Sequence, residues 1–257
     1  GKKIWINPAD VEIVRDDKGR ISPALPARKG RAPDAARVLA FDKLDEWAGL
    51  LAEIDAACIA QGVPAGAATA EYGGAQFEVN LAHLDDPVLA CDHALMLRRI
   101  VKGVAAKHGL EATFMSKPFA DQSGSGLHIH ASLIDAAGRN VFDETTPNGD
   151  RMLGHAIAGL QATTYDAMGF FAPNINAYRR FAANQFVPVN TSWGINNRSV
   201  SFRVPMGGGR ARRIEHRIAG ADANPYLALA ATLACGYLGM MEKLEPLPEM
   251  KSSAYEL

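Results

Sequence analysis

RRIEHRI, residues 212–218, alternates charged side chains with isoleucines and one histidine. Its charged series Arg213, Glu215 and Arg217 falls on every second position, which is the period of a β-strand with one face in the core and one turned outward. Three further segments alternate in the same way, namely QFEVNL (76–81), LHIHASL (127–133) and SVSFRVP (199–205). The sequence therefore predicts a sheet with one polar face.

Four helices are predicted around these strands. Asp42 and Asp86 are suitable N-caps, and Asp86 is followed by a proline, which is favoured in the first turn. Asn224, also followed by proline, repeats that signal, and another helix is predicted over roughly 150–168. The predicted fold class is therefore α+β, a largely antiparallel sheet with a polar active-site face and helices on its apolar side.

Composition restricts the class of partner. The chain has 257 residues, of which 48% are hydrophobic and 21% charged, so it can bury a sizeable core. Its formal net charge of −1 gives no field that would gather nucleic acid or anionic lipid, so we expect a small-molecule partner, with neither nucleic acid nor membrane. Cys58, Cys91 and Cys235 show no CxxC spacing, which predicts reduced, buried thiols in a cytoplasmic protein.

The polar faces of the predicted strands carry an unusual set of side chains. An ordinary solvated face mixes Thr, Lys, Glu and Ser, whereas these faces concentrate arginines and residue types that bind metals. The set comprises Glu78, His128, His130, Glu215, Arg203, Arg213 and Arg217, with Glu71 just before the first strand. Carboxylates and an imidazole suit Mg²⁺ or Mn²⁺, and arginines complement phosphate oxygens. The pattern therefore indicates a nucleotide phosphate bridged by metal.

Two structural alternatives stay open on the residues alone. Arg–Glu pairs across a sheet are a common structural device, and an HxH strand is often structural or zinc-binding. The preceding segment DQSGSG, residues 121–126, favours a ligand because its glycines let the backbone come close to one. The sequence contains no nucleophile elbow, Walker motif or dinucleotide fingerprint, which argues against the usual hydrolase, P-loop and Rossmann enzymes.

Together these motifs resemble the catalytic domain of glutamine synthetases. GSGLHIHASL (124–133) resembles the ATP-site strand of that family, and EYGGAQFE (71–78) resembles its first metal-ligand segment. NRSVSFRVP (197–205), followed by ARRIEHRIAGADANPYLALA (211–230), resembles its phosphate and glutamate segment. The motifs occur in the family's order across most of residues 40–245.

The resemblance implies a role for each matching position. Glu71 and Glu78 would bind one Mg²⁺ or Mn²⁺ ion, and His128 and Glu215 would bind the other. The residues implied in ATP binding are His130, Ser132, Arg203 and Arg213. Those implied in binding glutamate are Gly124, His128, Arg180, Arg198 and Arg217. Those implied in catalysis are Arg198, Arg203 and Glu215. In the family's reaction, ATP phosphorylates the γ-carboxylate of glutamate, and an amine then displaces phosphate.

Three positions depart from the family pattern. Phe186 stands where ammonia-using members carry a flap glutamate, although an offset of one residue would place Gln185 there. Ser123 replaces an asparagine, and Asn196 replaces an arginine. These changes resemble the γ-glutamylpolyamine synthetase branch, whose acceptor is a bulkier amine. We therefore prefer a glutamate–amine ligase, acting on a polyamine or a monoamine, to a true glutamine synthetase that uses ammonia.

Residues 1–257 are predicted to form a single glutamine synthetase-type catalytic domain that is incomplete relative to the family. We find no N-terminal β-grasp domain, C-terminal helical region or Glu-x-Glu metal strand, which only Asp10 or Glu12 could approximate. The resemblance also implies a ring-shaped homo-oligomer, a dodecamer. A non-catalytic relative is disfavoured because buried charges are costly unless paired or metal-bound. A guanidino kinase is disfavoured because no reactive cysteine accompanies the arginines.

Overall fold

The computed structural model describes residues 2–8, 13–15, 21–23, 41–183 and 185–256. The chain divides into two compact units, Gly1–Gly126 and Leu127–Leu257. Each unit has its own four-stranded sheet. Among the described residues there is no helix with the length and hydrophobicity that a bilayer-spanning segment requires.

In its described part, the first unit consists of six strands and three helices. They are β1 (Lys2–Pro8), β2 (Ile13–Arg15), β3 (Ile21–Pro23), α1 (Phe41–Glu46), α2 (Ala48–Ala60), β4 (Ala65–Ala70), β5 (Gln76–Leu81), α3 (Pro87–Lys107) and β6 (Leu110–Thr113). The main sheet has the order β4-β5-β1-β6, and all its neighbours are antiparallel. Strands β2 and β3 form a separate antiparallel pair.

Helix α3 begins as its sequence predicts. The side chain of Asp86 accepts hydrogen bonds from the backbone amides of Val88 at 2.8 Å and Leu89 at 3.0 Å. These bonds satisfy two amides that have no partner inside the helix, and proline at the next position needs no amide partner. Local chemistry therefore sets this boundary.

The helix predicted from Asp42 is interrupted in the structure. Helix α1 starts at Phe41, which puts Asp42 in the first turn rather than at the cap. A turn at Trp47 separates α1 from α2, and the Trp47 amide donates to Leu44 O, three residues back, at 3.2 Å. The Trp47 ring packs edge-on against the buried Phe77 of β5 at 6.1 Å, so the break places an aromatic side chain on the sheet.

The second unit has four short strands and three helices in its described part. They are β7 (Ile129–Ala131), α4 (Gly149–Phe171), α5 (Ile175–Tyr178), β8 (Trp193–Ile195), β9 (Phe202–Val204), β10 (Ile214–His216) and α6 (Pro225–Glu242), with 3₁₀ turns at Gly209–Ala211 and Ala254–Glu256. The sheet order is β7-β10-β9-β8. Strand β10 is antiparallel to both neighbours, and β8 runs parallel to β9.

Helices α4 and α6 form the apolar layer of this unit. Their backbones approach so closely at Gly159 that a Cβ atom there would lie 2.2 Å from Cys235 O, so only glycine fits. The core beneath the sheet is built from Leu127, Phe142, Leu160, Phe171, Phe202, Ile214 and Ile218. Asn224 caps α6 as predicted, accepting from the Tyr226 amide at 3.0 Å.

The architecture agrees with the predicted α+β class and antiparallel pairing, with one difference. Of the four alternating segments, QFEVNL lies in the sheet of the first unit, and the other three lie in that of the second. Alternation determines which face a side chain occupies but not which strand is its neighbour. Besides β4, β5 pairs with β1, which is more than sixty residues away in sequence, and no local pattern indicates that pairing.

Candidate active site

Glu215 occupies the middle of β10, the strand flanked by β7 and β9. The ladders place it opposite His130 on β7 and opposite Arg203 on β9. Opposite residues of an antiparallel pair project from the same face, so these three side chains share one face of the sheet. Glu215 is only 2% exposed, because Ile214 and Ile218 hold its strand in the core.

Three cationic or potentially cationic side chains surround the Glu215 carboxylate. Arg203 Nη1 lies 2.6 Å from Oε2, Arg217 Nη1 lies 2.5 Å from Oε1, and His128 Nδ1 lies 3.3 Å from Oε1. Burial alone would raise the pKa of Glu215, but the guanidiniums of Arg217 and Arg203 outweigh it and lower the pKa. The carboxylate is therefore ionised at neutral pH.

Arg217 also joins the strand to two loop segments. Its Nη2 donates to the backbone oxygens of Phe186 at 3.1 Å and Arg198 at 3.0 Å. One terminal nitrogen of the guanidinium thus donates to the carboxylate, and the other donates to the loops. Arg217 is 4% exposed. The side chain of Arg198 is exposed and lines a cavity of about 490 Å³ together with Phe186, Asn196 and Tyr255.

The other side of Arg203 is held by Asn196. Arg203 Nη2 donates to Asn196 Oδ1 at 2.6 Å. Asn196 adopts a left-handed backbone conformation with φ of 50°, which asparagine tolerates better than most residues. Asn196 therefore orients the guanidinium that pairs with Glu215.

A second polar pair joins β7 to the segment before β10. Arg213 Nε donates to His130 Nδ1 at 3.0 Å, and Arg213 Nη1 donates to Ala211 O at 3.0 Å. Burial lowers the pKa of His130 to about 4, and Arg213 and Arg203 act in the same direction. The imidazole is neutral at neutral pH, so its Nδ1 can accept the bond from Arg213. Ser132, one residue beyond β7, is half-buried.

Arg180 is buried and contacts the backbone of the segment that follows β10. Its Nη1 donates to Ile218 O at 2.6 Å, and its Nη2 donates to Arg217 O at 2.9 Å. Its guanidinium lies 5.4 Å from the centre of the Phe181 ring. Burial lowers the pKa of Arg180 to about 10, so the group stays positive at neutral pH. In this arrangement Arg180 supports the backbone that carries Arg217.

Glu71 and Glu78 belong to the hairpin of β4 and β5 in the first unit. The Glu71 amide donates to Gln76 O at 2.8 Å, and Thr69 is opposite Glu78 in the ladder. Glu71 therefore lies on the same face as Gln76 and Glu78. Phe77, between them, points into the core. The hairpin thus presents both carboxylates on its polar face, as the alternation predicts.

A model of the family described as glutamine synthetase, catalytic domain, matches residues 10–257. The chain belongs to the glutamine synthetase family. The γ-glutamylputrescine synthetase PuuA of Escherichia coli (strain K12) is 40% identical to it over 235 residues, 91% of this chain and 50% of the relative. The glutamate–isopropylamine ligase of a Pseudomonas sp is 41% identical over 198 residues, 76% of this chain and 43% of the relative.

A solved structure agrees with this membership. The structure of a GmaS/ADP complex matches with a TM-score of 0.81 and 29% sequence identity, covering 98% of this chain and 56% of that one. The α+β glutamine synthetase fold predicted from the sequence is therefore confirmed, and so is the resemblance to the glutamate–amine ligase branch. The chain spans about half the length of the curated relatives it matches.

The donors suit the divalent cations that this family implies. Glu215 is ionised, His128 lies beside it, and Glu71 and Glu78 share a face of their hairpin. Within the part of the chain that the structure describes, no group of three His, Cys, Asp or Glu side chains is placed to hold a metal ion. Pairs of protein ligands still fit Mg²⁺, which usually keeps several waters and binds substrate phosphates.

The residues named from the family pattern fall into both units. In the second unit the structure brings together His128, His130, Arg203, Arg213, Glu215 and Arg217. In the first unit it places Glu71 and Glu78 on one face. Asp10 and Glu12, the suggested substitutes for the Glu-x-Glu strand, lie outside the described residues. The Arg–Glu pairing considered as a structural device does occur, between Arg203 and Glu215.

Two residues in these networks had no predicted role. The sequence shows Asn196 only as a departure from the family pattern, whereas in the structure its side chain accepts a hydrogen bond from Arg203. Gln76 is fully buried and hydrogen-bonded. It lies inside the EYGGAQFE segment and shares the polar face of β5 with Glu78, but the family resemblance implied no role for it.

Proposed function

We propose that this chain carries the catalytic domain of an ATP- and divalent-metal-dependent ligase that joins the γ-carboxylate of glutamate to an amine. The observation that supports it best is the buried, ionised Glu215 held by Arg203 and Arg217 beside His128. In a family of ATP-dependent ligases, such a carboxylate suits metal binding, and the guanidiniums suit phosphate. The amine ligases among its relatives support the choice of substrates.

In this proposal the ATP triphosphate lies over the polar face of β7, β9 and β10. His130, Ser132, Arg203 and Arg213 would contact the nucleotide. Neutral His130 receives the Arg213 bond and so fixes the direction in which that guanidinium points. Since the net charge of the chain is −1, this local cluster would supply the positive potential for phosphate.

Glutamate would be bound by Gly124, His128, Arg180, Arg198 and Arg217. Arg217 is constrained from both ends, by Glu215 and by the backbone oxygens of the two loops. Because Arg180 donates to the backbone oxygen of Arg217, one contribution of Arg180 would be to hold that residue in place. Preorganised cations of this kind bind a carboxylate without a large cost of reordering.

Two divalent ions, Mg²⁺ or Mn²⁺, would be held by Glu71 with Glu78 and by His128 with Glu215. When bound, they would neutralise charge on the triphosphate and orient it. Each carboxylate oxygen of Glu215 accepts one arginine hydrogen bond, which leaves further lone pairs that an ion could use. Asn196 also accepts from Arg203, so that guanidinium would stay anchored beside the ion.

The proposed chemistry proceeds in two steps. A γ-carboxylate oxygen of glutamate attacks the terminal phosphorus of ATP, the bond to ADP breaks, and an acyl phosphate forms. The amine nitrogen then attacks the acyl carbon, loses a proton, and phosphate leaves with the bonding electrons. Arg198 and Arg203 would stabilise the charge on the phosphoryl group during transfer.

The proposed acceptor is an organic amine rather than ammonia. Phe186 lines the cavity beside Arg198, is 45% exposed, and adopts a left-handed conformation with φ of 52°. A bulky residue held at positive φ is strained, and such strain is concentrated at functional sites. An apolar ring there suits the carbon chain of an amine and lacks the negative charge that a glutamate would offer to an ammonium ion. The alternative is a true glutamine synthetase, which uses ammonia as the acceptor.

The proposal can be tested by measuring phosphate release with the full-length protein. Phosphate release should require ATP, glutamate, Mg²⁺ and an amine such as putrescine, ethylamine or isopropylamine. If only ammonia supports turnover, the branch is wrong. If no acceptor supports it, the non-catalytic alternative gains. Exchanging Phe186→Glu should improve ammonia use relative to the amines, and Phe186→Leu serves as the uncharged control.

Further properties rest on family likeness. We infer a ring-shaped homo-oligomer, a dodecamer in the family's usual form, and location in the cytoplasm. Three buried free cysteines, Cys58, Cys91 and Cys235, support a reducing environment. Light scattering of the full-length protein would test the oligomer.

A further inference from the structure

Gln76 is a fully buried polar residue for which neither the family pattern nor the proposed chemistry provides a role. It lies at the start of β5, two residues before Glu78 and on the same face. Its Oε1 accepts from the Gly73 amide at 3.2 Å, and its Nε2 donates to Gly124 O at 3.0 Å and to Ser125 Oγ at 3.2 Å. Both the oxygen and the nitrogen of the carboxamide are therefore hydrogen-bonded.

The loop it contacts, residues 116–126, is itself closed by internal hydrogen bonds. The Ser125 amide donates to Ser116 O at 2.8 Å, and the Lys117 ammonium donates to Gln122 O. Burial lowers the pKa of Lys117, an effect that Asp121 partly opposes. The loop thus behaves as a closed unit, and the two bonds from Gln76 Nε2 attach it to the β4–β5 hairpin.

The backbone of Gln76 also holds the hairpin. Its carbonyl accepts from the Glu71 amide at 2.8 Å. A single residue therefore contacts the backbone of Glu71, the turn at Gly73 and the backbone of Gly124. Buried amide networks in which every group is satisfied fix one geometry, because any displacement leaves a desolvated polar atom without a partner.

We propose that Gln76 is a positioning residue that locks the 116–126 loop onto the β4–β5 hairpin, so that Gly124 keeps one fixed position relative to Glu71 and Glu78. The attachment of the loop to the hairpin by Gln76 follows from the hydrogen bonds alone. Its consequence for catalysis rests on the proposed function, in which Gly124 contacts glutamate and the two carboxylates bind metal. Gln76 touches no reacting atom and acts through these neighbours.

The chain offers a matched control. Gln161 is also a buried glutamine that bridges two backbone segments, donating to Thr191 O at 2.7 Å and accepting from the Leu247 amide at 3.0 Å. Gln76→Met and Gln161→Met remove the same atoms from similar surroundings. Both should destabilise the protein, but only the first should release the loop.

The experiment compares these variants in full-length protein by amide hydrogen exchange and by kinetics. In Gln76→Met, exchange over residues 116–126 should rise at least about tenfold, and KM for glutamate should rise by a similar factor with KM for ATP changed much less. Mn²⁺ affinity, measured by titration without substrates, should fall. Gln161→Met should leave exchange in the loop and KM for glutamate as in the wild type.

Ser125→Ala provides a milder variant should Gln76→Met fail to fold. It removes only the bond between Gln76 Nε2 and Ser125 Oγ, so a smaller rise in loop exchange is expected. Equal loop exchange in the wild type, Ser125→Ala and any folded Gln76 variant would overturn the proposal. If the wild type shows no ligase activity with any amine, the proposed function fails, and the exchange comparison still decides whether Gln76 locks the loop.

Discussion

The two four-stranded sheets hold their carboxylates by different means. Glu78 lies within a six-residue strand, half-buried, and its position follows from ladder bonds to both neighbouring strands. Glu215 lies in a three-residue strand, almost fully buried, and two guanidiniums grip its oxygens at 2.5 and 2.6 Å. In the first sheet the backbone places the side chain. In the second, charged side chains also hold the short strands together.

This difference separates stability from ligand binding. A carboxylate whose position is set by backbone ladders does not neutralise a buried charge. Its removal should therefore weaken mainly ligand binding. A carboxylate that neutralises buried arginines contributes to the fold whether or not a ligand is bound. Substitutions in the two sheets should therefore differ in how far stability and activity change together.

The largest effect is expected for Glu215→Ala. Arg203 and Arg217 would keep their charges in a buried site without the carboxylate, which costs about 3–5 kcal/mol of unfolding free energy. Urea denaturation of full-length protein measures it, and activity should also be lost. Glu242→Ala, at an exposed position at the end of α6, is the control and should change stability by less than about 0.5 kcal/mol. A Glu215→Ala variant as stable as that control would contradict the comparison.

A smaller loss is expected for Arg217→Lys. The positive charge is kept, but an ammonium cannot span Glu215 and the backbone oxygens of Phe186 and Arg198 as the planar guanidinium does. Loss of charge-assisted bonds should cost about 2 kcal/mol, measured by denaturation. Arg210→Lys, an exposed arginine in the same unit, should be close to neutral. If Arg217→Lys and Arg210→Lys were equally stable, the positive charge at position 217 would be enough to hold the sheet, and the planar shape of the guanidinium would not matter.

His216 gives the second sheet a dependence on pH. Its ring packs on Phe171 and Phe202, at 4.3 and 5.6 Å between centroids, and neither ring nitrogen has a hydrogen-bond partner among the described residues. Burial, with Arg180 acting in the same direction, lowers the pKa of His216 to about 3. Between that value and the unfolded pKa of about 6.5, only the unfolded chain binds the proton, so stability falls as pH falls.

Replacing His216→Phe should remove this contribution. The slope of unfolding free energy against pH should become shallower by up to about 1.4 kcal/mol per unit between roughly pH 6 and pH 4. Stability at neutral pH should not fall, because a buried imidazole without partners is exchanged for an apolar ring of similar shape. Denaturation curves at several pH values test this. Parallel pH profiles for the two proteins would mean that the folded protein protonates His216 as readily as the unfolded chain.

Local signals in the sequence predicted much of this arrangement. The caps at Asp86 and Asn224 act within four residues, so the sequence alone sets them. The period-two pattern placed Glu215 and Arg203 on one face, because side-chain direction follows from strand geometry.

Long-range contacts were not predictable in the same way. The division of the strands into two sheets depends on β1 inserting between β5 and β6. The roles of Gln76 and Arg180 depend on backbone oxygens 48 and 37–38 residues away in sequence. In the sequence, Asn196 is recognisable only as the replacement of an arginine. Its hydrogen bond with Arg203 depends on a left-handed backbone conformation that no sequence pattern predicted.

The smallest change in stability is expected for Glu78→Gln, and it is the sharpest test of the comparison. The amide fills the same half-buried space on β5 and leaves the ladder intact, so unfolding free energy should change by less than about 0.5 kcal/mol. Removing a negative oxygen ligand should nevertheless weaken Mn²⁺ binding at least about tenfold, measured by titration, and abolish most activity. Glu111→Gln, an exposed position on β6 of the same sheet, controls for the loss of one charge and should leave both properties unchanged. If Glu78→Gln instead destabilises the protein as much as Glu215→Ala does, the carboxylates of the two sheets are held in the same way, and stability cannot be separated from ligand binding in either.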